Sequence, residues 1–137
     1  MNARYLFIIL SLVGLTSCEI IIHNEEPIFF DQRDKFTGSY RLEEVSNTYN
    51  EIAEYSISIY KSSRDSDVVF INNFYGVNIE VMAIVRGDKL ILPLQEINGY
   101  EIEGEAWYDL GELEFDYVVR DITRHQIIND YCTALAW

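Results

Sequence analysis

The sequence predicts an all-β chain, a single eight-stranded antiparallel up-and-down barrel behind a signal segment and a tether. Three observations carry this expectation. From residue 36 onward Tyr, Ile, Val and Phe are abundant, and no long run has helical period. Turn signals recur roughly every eight to twelve residues. The stretch GYEIEGEAWYDLGELEFDYVV, residues 99–119, alternates apolar and acidic positions through two successive runs. Short links between successive strands require antiparallel neighbours. Eight such strands with one buried face leave two long edges, and closing the sheet removes both. A sandwich would need longer crossing connections.

The chain opens MNARYLFIILSLVGLTSCE. One Arg precedes an apolar run from Tyr5 to Gly14, followed by small residues. That is the layout of a secretory signal, with an apolar stretch too short to span a bilayer comfortably. Leu15-Thr16-Ser17-Cys18 resembles the bacterial lipobox. The resemblance implies a lipoprotein signal peptide over residues 1–17, cleavage before Cys18 and acylation of its thiol. The mature chain is then held to the membrane through lipidated Cys18, and stably so if more than one acyl chain is attached. Residue 19 is Glu, not the Asp that resembles an inner-membrane retention signal. The expected location is therefore the cell envelope, at the outer membrane. Residues 18–35 read as a lipid-anchored tether punctuated by Pro27. Ile20 to Ile22 suit a membrane interface, His23 reads as solvated, and Phe29 and Phe30 are expected to dock on the domain edge.

The barrel domain is expected over residues 36–137. Its strands fall at about 36–45, 54–62, 67–73, 77–86, 89–96, 99–108, 112–121 and 126–136. The links hold Arg64 to Asp67, Gly76, Gly87-Asp88, Asn98-Gly99 and Asp109 to Gly111, all good turn chemistry. In the hairpin of residues 99–119, Asp109 opposite Glu112 brings Tyr108 to Leu113, Ala106 to Phe115, Gly104 to Tyr117 and Ile102 to Val119. A slip of one residue would mix the faces throughout. The apolar parity is therefore interior. Glu101, Glu103, Glu105, Glu112, Glu114 and Asp116 form a solvated wall in which Glu105 opposes Asp116. The large inward candidates are Tyr40, Leu42, Tyr55, Ile57, Ile59, Phe70, Tyr100, Tyr108, Phe115 and Tyr117. So many aromatics predict a mostly filled barrel with a shallow mouth, whose Tyr hydroxyls find water or a polar ligand.

Two stretches carry a likeness. Phe36-Thr37-Gly38-Ser39-Tyr40 resembles the opening Gly-x-Trp strand of the calycin superfamily, lipocalins and their relatives, with Tyr in place of Trp. Over residues 31–137, RDKFTGSY, INNFYG, VRGDKLILPLQEINGYEIEGEAWY and YCTALAW resemble small bacterial lipocalin-like lipoproteins, which often join such a domain to a lipobox. The resemblance implies the barrel fold and leaves the activity open. It also implies an Arg covering Tyr40, a role for either Arg124 or Arg120.

Composition narrows function by exclusion. Cleavage before Cys18 removes one of the ten basic residues, Arg4, and none of the 23 acidic ones, so the formal charge moves from −13 to −14. Such a surface repels nucleic acid and anionic headgroups and suits a basic protein partner. Cys18 and Cys132 are the only cysteines, so an acylated Cys18 leaves no internal disulfide. Cys132 reads as a small buried side chain. There is no Gly-rich phosphate loop, no Cys-x-x-Cys, no His-Glu-x-x-His and no Gly-x-Ser-x-Gly. No catalytic residue, metal site or cofactor is expected. The leading expectation is a lipid-anchored binding module for a small apolar or amphipathic ligand. The alternative is a non-enzymatic interaction subunit of an envelope complex. In an up-and-down barrel alternate loops share an end. The end away from the tether carries Tyr49, Phe74, Tyr75 and His125, the candidate ligand-binding residues.

Overall fold

The computed structural model describes residues 30–137, so Cys18, the signal segment and most of the tether lie outside the described residues. Eight strands form a closed barrel in chain order. They are β1 (Gly38–Ser46), β2 (Glu51–Lys61), β3 (Val68–Phe74), β4 (Ile79–Arg86), β5 (Lys89–Ile97), β6 (Tyr100–Asp109), β7 (Glu112–Asp121) and β8 (Asn129–Ala136). Every neighbour is antiparallel, and β1 meets β8 from Leu42 opposite Ala136 to Ser46 opposite Cys132. Among the described residues no helix is long and apolar enough to cross a membrane.

The β6–β7 hairpin has the predicted register, with Asp109 opposite Glu112, Ala106 opposite Phe115 and Gly104 opposite Tyr117. Its two-residue turn has positive φ at both Leu110 and Gly111, as a type I′ turn requires. The inward row is buried, with Ile102, Ala106, Leu113 and Phe115 fully so. Gly104 must lack a side chain, because a Cβ there would lie 2.4 Å from the Tyr117 Cβ and 2.5 Å from the Asp116 carbonyl oxygen. On the outer face Lys89 pairs with Glu105 at 3.1 Å and Arg120 with Glu103 at 2.7 Å. Lys89 thereby relieves the opposition of Glu105 and Asp116.

Two strands depart from the expected pattern. Phe70 is not interior. It lies opposite Tyr60 on the outer face, with ring centroids 5.7 Å apart, while Val69 and Ile71 point inward and are fully buried. The ladder to β4 then slips between Asn72 and Phe74, and Asn73 takes a left-handed φ of 60°. That bulge resets the parity and turns Phe74 into the core. On the other side β4 pairs with β5 only from Ile84 opposite Ile91 to Arg86 opposite Lys89. Pro93 has no N–H to give a ladder. Beyond it the Gln95 side-chain amide stands in for a strand, accepting from the Met82 N–H at 2.9 Å and donating to the Met82 carbonyl at 2.8 Å.

The end next to the N-terminus is sealed. The compact unit starts at Asp31. Phe36 is fully buried and meets Tyr108 edge-on at 5.7 Å. Arg33 donates to the carbonyls of Ser62 and Asp65 in the β2–β3 link, while Asp31 accepts from it. Phe30 is 74 % exposed, and Phe29 lies outside the described residues. Tyr40 donates to the Phe36 carbonyl at 3.0 Å. Neither candidate arginine covers it. Arg120 is spent on Glu103 and Asn129, and Arg124 on Asp121, at the far ends of the strands.

Candidate functional site

The opposite end is open and polar. Four loops converge there, the β1–β2, β3–β4, β5–β6 and β7–β8 links. They frame a cavity of about 170 Å³ lined by Tyr49, Tyr75, Tyr100, Arg124 and Ile128, with Val119 and Asp130 below. Tyr75 and Tyr100 meet edge-on with centroids 6.2 Å apart. The Tyr75 backbone is left-handed, with φ 57°, a conformation that bulky residues rarely hold. The Tyr75 hydroxyl donates to Asp130 Oδ2 at 2.6 Å, which holds the ring at the mouth.

The floor is a polar layer that sequence reasoning missed. Asp130 is 3 % exposed and Glu44 is 6 % exposed. Ser46 donates to Asp130 Oδ1 and accepts from the Tyr49 N–H at 3.0 Å. Glu44 Oε2 accepts from the hydroxyls of both Tyr55 and Tyr117. The interior hydroxyls of Tyr55, Tyr75 and Tyr117 therefore end on carboxylates. The signal was present as parity. Tyr40, Leu42, Glu44 and Ser46 share one face of β1, and Asp130, Cys132, Ala134 and Ala136 share one face of β8.

Burial shifts the protonation of Glu44, of the three tyrosines and of Cys132. Loss of water pushes the Glu44 carboxyl above its ordinary range and Asp130 nearby adds to the rise, while the two phenol donors oppose it. Desolvation also raises Tyr55, Tyr75 and Tyr117, and the adjacent carboxylates reinforce the effect. The Cys132 thiol is pushed far up by burial and the same acids. It is the small buried side chain its strand implies and is not a thiolate at neutral pH.

The four candidate binding residues separate. Tyr49 and Tyr75 line the cavity. Phe74 is fully buried beneath it, 4.7 Å from the Tyr117 ring and 6.1 Å from Phe115, centroid to centroid. His125 is exposed on the β7–β8 link and is not part of the lining. Tyr100, Arg124 and Asp130 join the site instead. Among the described residues no three His, Cys, Asp or Glu side chains gather as a metal site. The chain matches no protein-family model, no curated protein and no solved structure.

Proposed function

We propose that the chain is a lipid-anchored envelope module that binds a small ligand at the loop end of its barrel. One observation carries the reading: the barrel is packed with buried side chains along its length, yet four loops leave a lined cavity over a polar floor at one end. A cavity of about 170 Å³ suits a compact amphipathic molecule rather than a long acyl chain. Its wall of Tyr rings and its Asp130 floor supply both apolar area and orienting polar groups, the usual make-up of small-molecule sites. The anchor rests on the Cys18 motif.

The module is read as a binder and not an enzyme. Glu44 and Asp130 are engaged by Ser and Tyr hydroxyls, Cys132 is held as the thiol, and His125 stands in solvent. A second reading, a basic protein partner on the outer wall, draws on a groove of about 530 Å³ across β5 to β8. Leu94 and Tyr131 are exposed there beside Glu105 and Asp116.

A screen of small amphipathic compounds by NMR tests the first reading. Binders should shift the signals of Tyr49, Tyr75 and Asp130, and Tyr75→Ala should weaken them. Hits that instead shift Leu94 and Tyr131 would favour the outer groove. A screen with no shift at the loop end would sink the proposal.

A further inference from the structure

The ligand class follows from a charge imbalance inside the barrel, given the loop-end site proposed above. Among the described residues two carboxylates are buried, Glu44 and Asp130. Among the described residues ten ion pairs form, and neither of these acids is in one. A buried charge without a counter-charge is costly, and hydroxyl donors compensate only part of that cost. A proton or a cation is needed to complete the layer.

The cavity above Asp130 is suited to the second. The rings of Tyr49, Tyr75 and Tyr100 stand around it, and aromatic faces attract cations, most strongly when water is excluded. Each Asp130 oxygen accepts a single hydroxyl, from Ser46 or from Tyr75. Each therefore keeps acceptor capacity for a further donor. Among the described residues the one cationic side chain on the lining, Arg124, is turned to Asp121, with Nε 2.8 Å from Oδ2. That pair cancels at the rim and leaves the interior anionic. Tyr75 links the two halves of the site, since its ring is wall and its hydroxyl holds the carboxylate.

We propose that this cavity binds a small organic cation, an alkylammonium group seated among Tyr49, Tyr75 and Tyr100 with its charge directed at Asp130. The rings contribute apolar contact and cation–π attraction, and Asp130 supplies the counter-charge. Volume limits the guest to a few carbon atoms around the nitrogen.

The test is calorimetric titration of the full chain with choline and with butylammonium, beside two uncharged partners of matching shape, dimethylbutanol and pentanol. Both cations should bind saturably and neither alcohol should. Tyr49→Ala, at a half-exposed ring, should leave the fold intact and weaken choline binding by roughly tenfold. Asp130→Asn should weaken it by at least that factor, with near-ultraviolet circular dichroism showing whether the core is retained. Should Asp130→Asn fail to fold, the Tyr49 variant and the alcohols still decide the matter. Alcohols that bind as well as the cations would overturn the cation assignment while leaving a loop-end ligand site. Silence from both cations would overturn it too, and the small-molecule screen then decides separately whether the cavity binds anything. Choline binding undiminished in Tyr49→Ala would move the cation elsewhere and overturn the proposed seat.

Discussion

Glu44 is the residue whose surroundings depart furthest from what its chemistry prefers. Its parity on β1 is readable as inward, but glutamates are almost never buried without partners. Those partners, Tyr55 and Tyr117, come from β2 and β7 and meet it only when the barrel is closed. No local pattern could announce them. The burial has a pH signature. Because the folded-state pKa lies above the ordinary 4.5, the unfolded chain loses this proton first as pH rises. The stabilising contribution of Glu44 is fully present below about pH 4.5 and falls as pH climbs through the folded value. Glu44→Gln carries no such term. Its melting temperature relative to wild type should therefore improve between pH 4 and pH 7, and a gap that does not change with pH would mean that Glu44 is not desolvated. Phe74 and His125 show the opposite limit of sequence reasoning. Both belong to loop-end segments, yet the bulge at Asn73 drives one into the core and the link before β8 leaves the other in water.

At the scale of elements, the β6–β7 hairpin was readable because its alternation is nearly faultless and its turn allows one register. The strand β3 was not. Tyr60 and Phe70 are large aromatics at outward positions, and nothing in their neighbourhood distinguishes them from core residues until the register is known. All eight predicted strand starts lie within three residues of those observed; the largest differences are at β2, which begins at Glu51, three residues early, and at β8, which begins at Asn129, three late. The hairpin turn offers a direct check. Leu110 is 96 % exposed and holds a left-handed φ of 47°, a conformation that Asn adopts more easily and that type I′ turns favour. Leu110→Asn should stabilise the domain by roughly 0.5 kcal/mol, in the range of relieved backbone strain at one turn residue. Denaturant unfolding measures this, and a loss of stability would show that Leu110 makes a contact the strand geometry does not require.

For the whole molecule, the closed barrel was legible because eight strands with short links leave few alternatives, whereas the cavity was not. Its volume depends on how Tyr49, Tyr75 and Tyr100 meet Arg124 and Ile128 of the β7–β8 link, and only the mouth's position followed from topology. The remaining large-scale expectation concerns the anchor. Cys18→Ser removes the thiol that the lipobox resemblance assigns to acylation. Expressed in a bacterial host, the variant should leave the membrane fraction or accumulate unprocessed. Lipid labelling equal to wild type would sink the lipobox reading of Cys18.

The Gln95 side chain has a consequence for how the barrel breathes. Between the start of β4 and Ile84, one amide group does what a row of strand partners does elsewhere. A side-chain bridge releases with a single rotamer change, while a ladder must part bond by bond. Amide hydrogens on the β4 edge near Met82 should therefore exchange with solvent well ahead of those in the β6–β7 hairpin. Opening of the sheet is expected to start along that line, ahead of every edge closed by a full ladder.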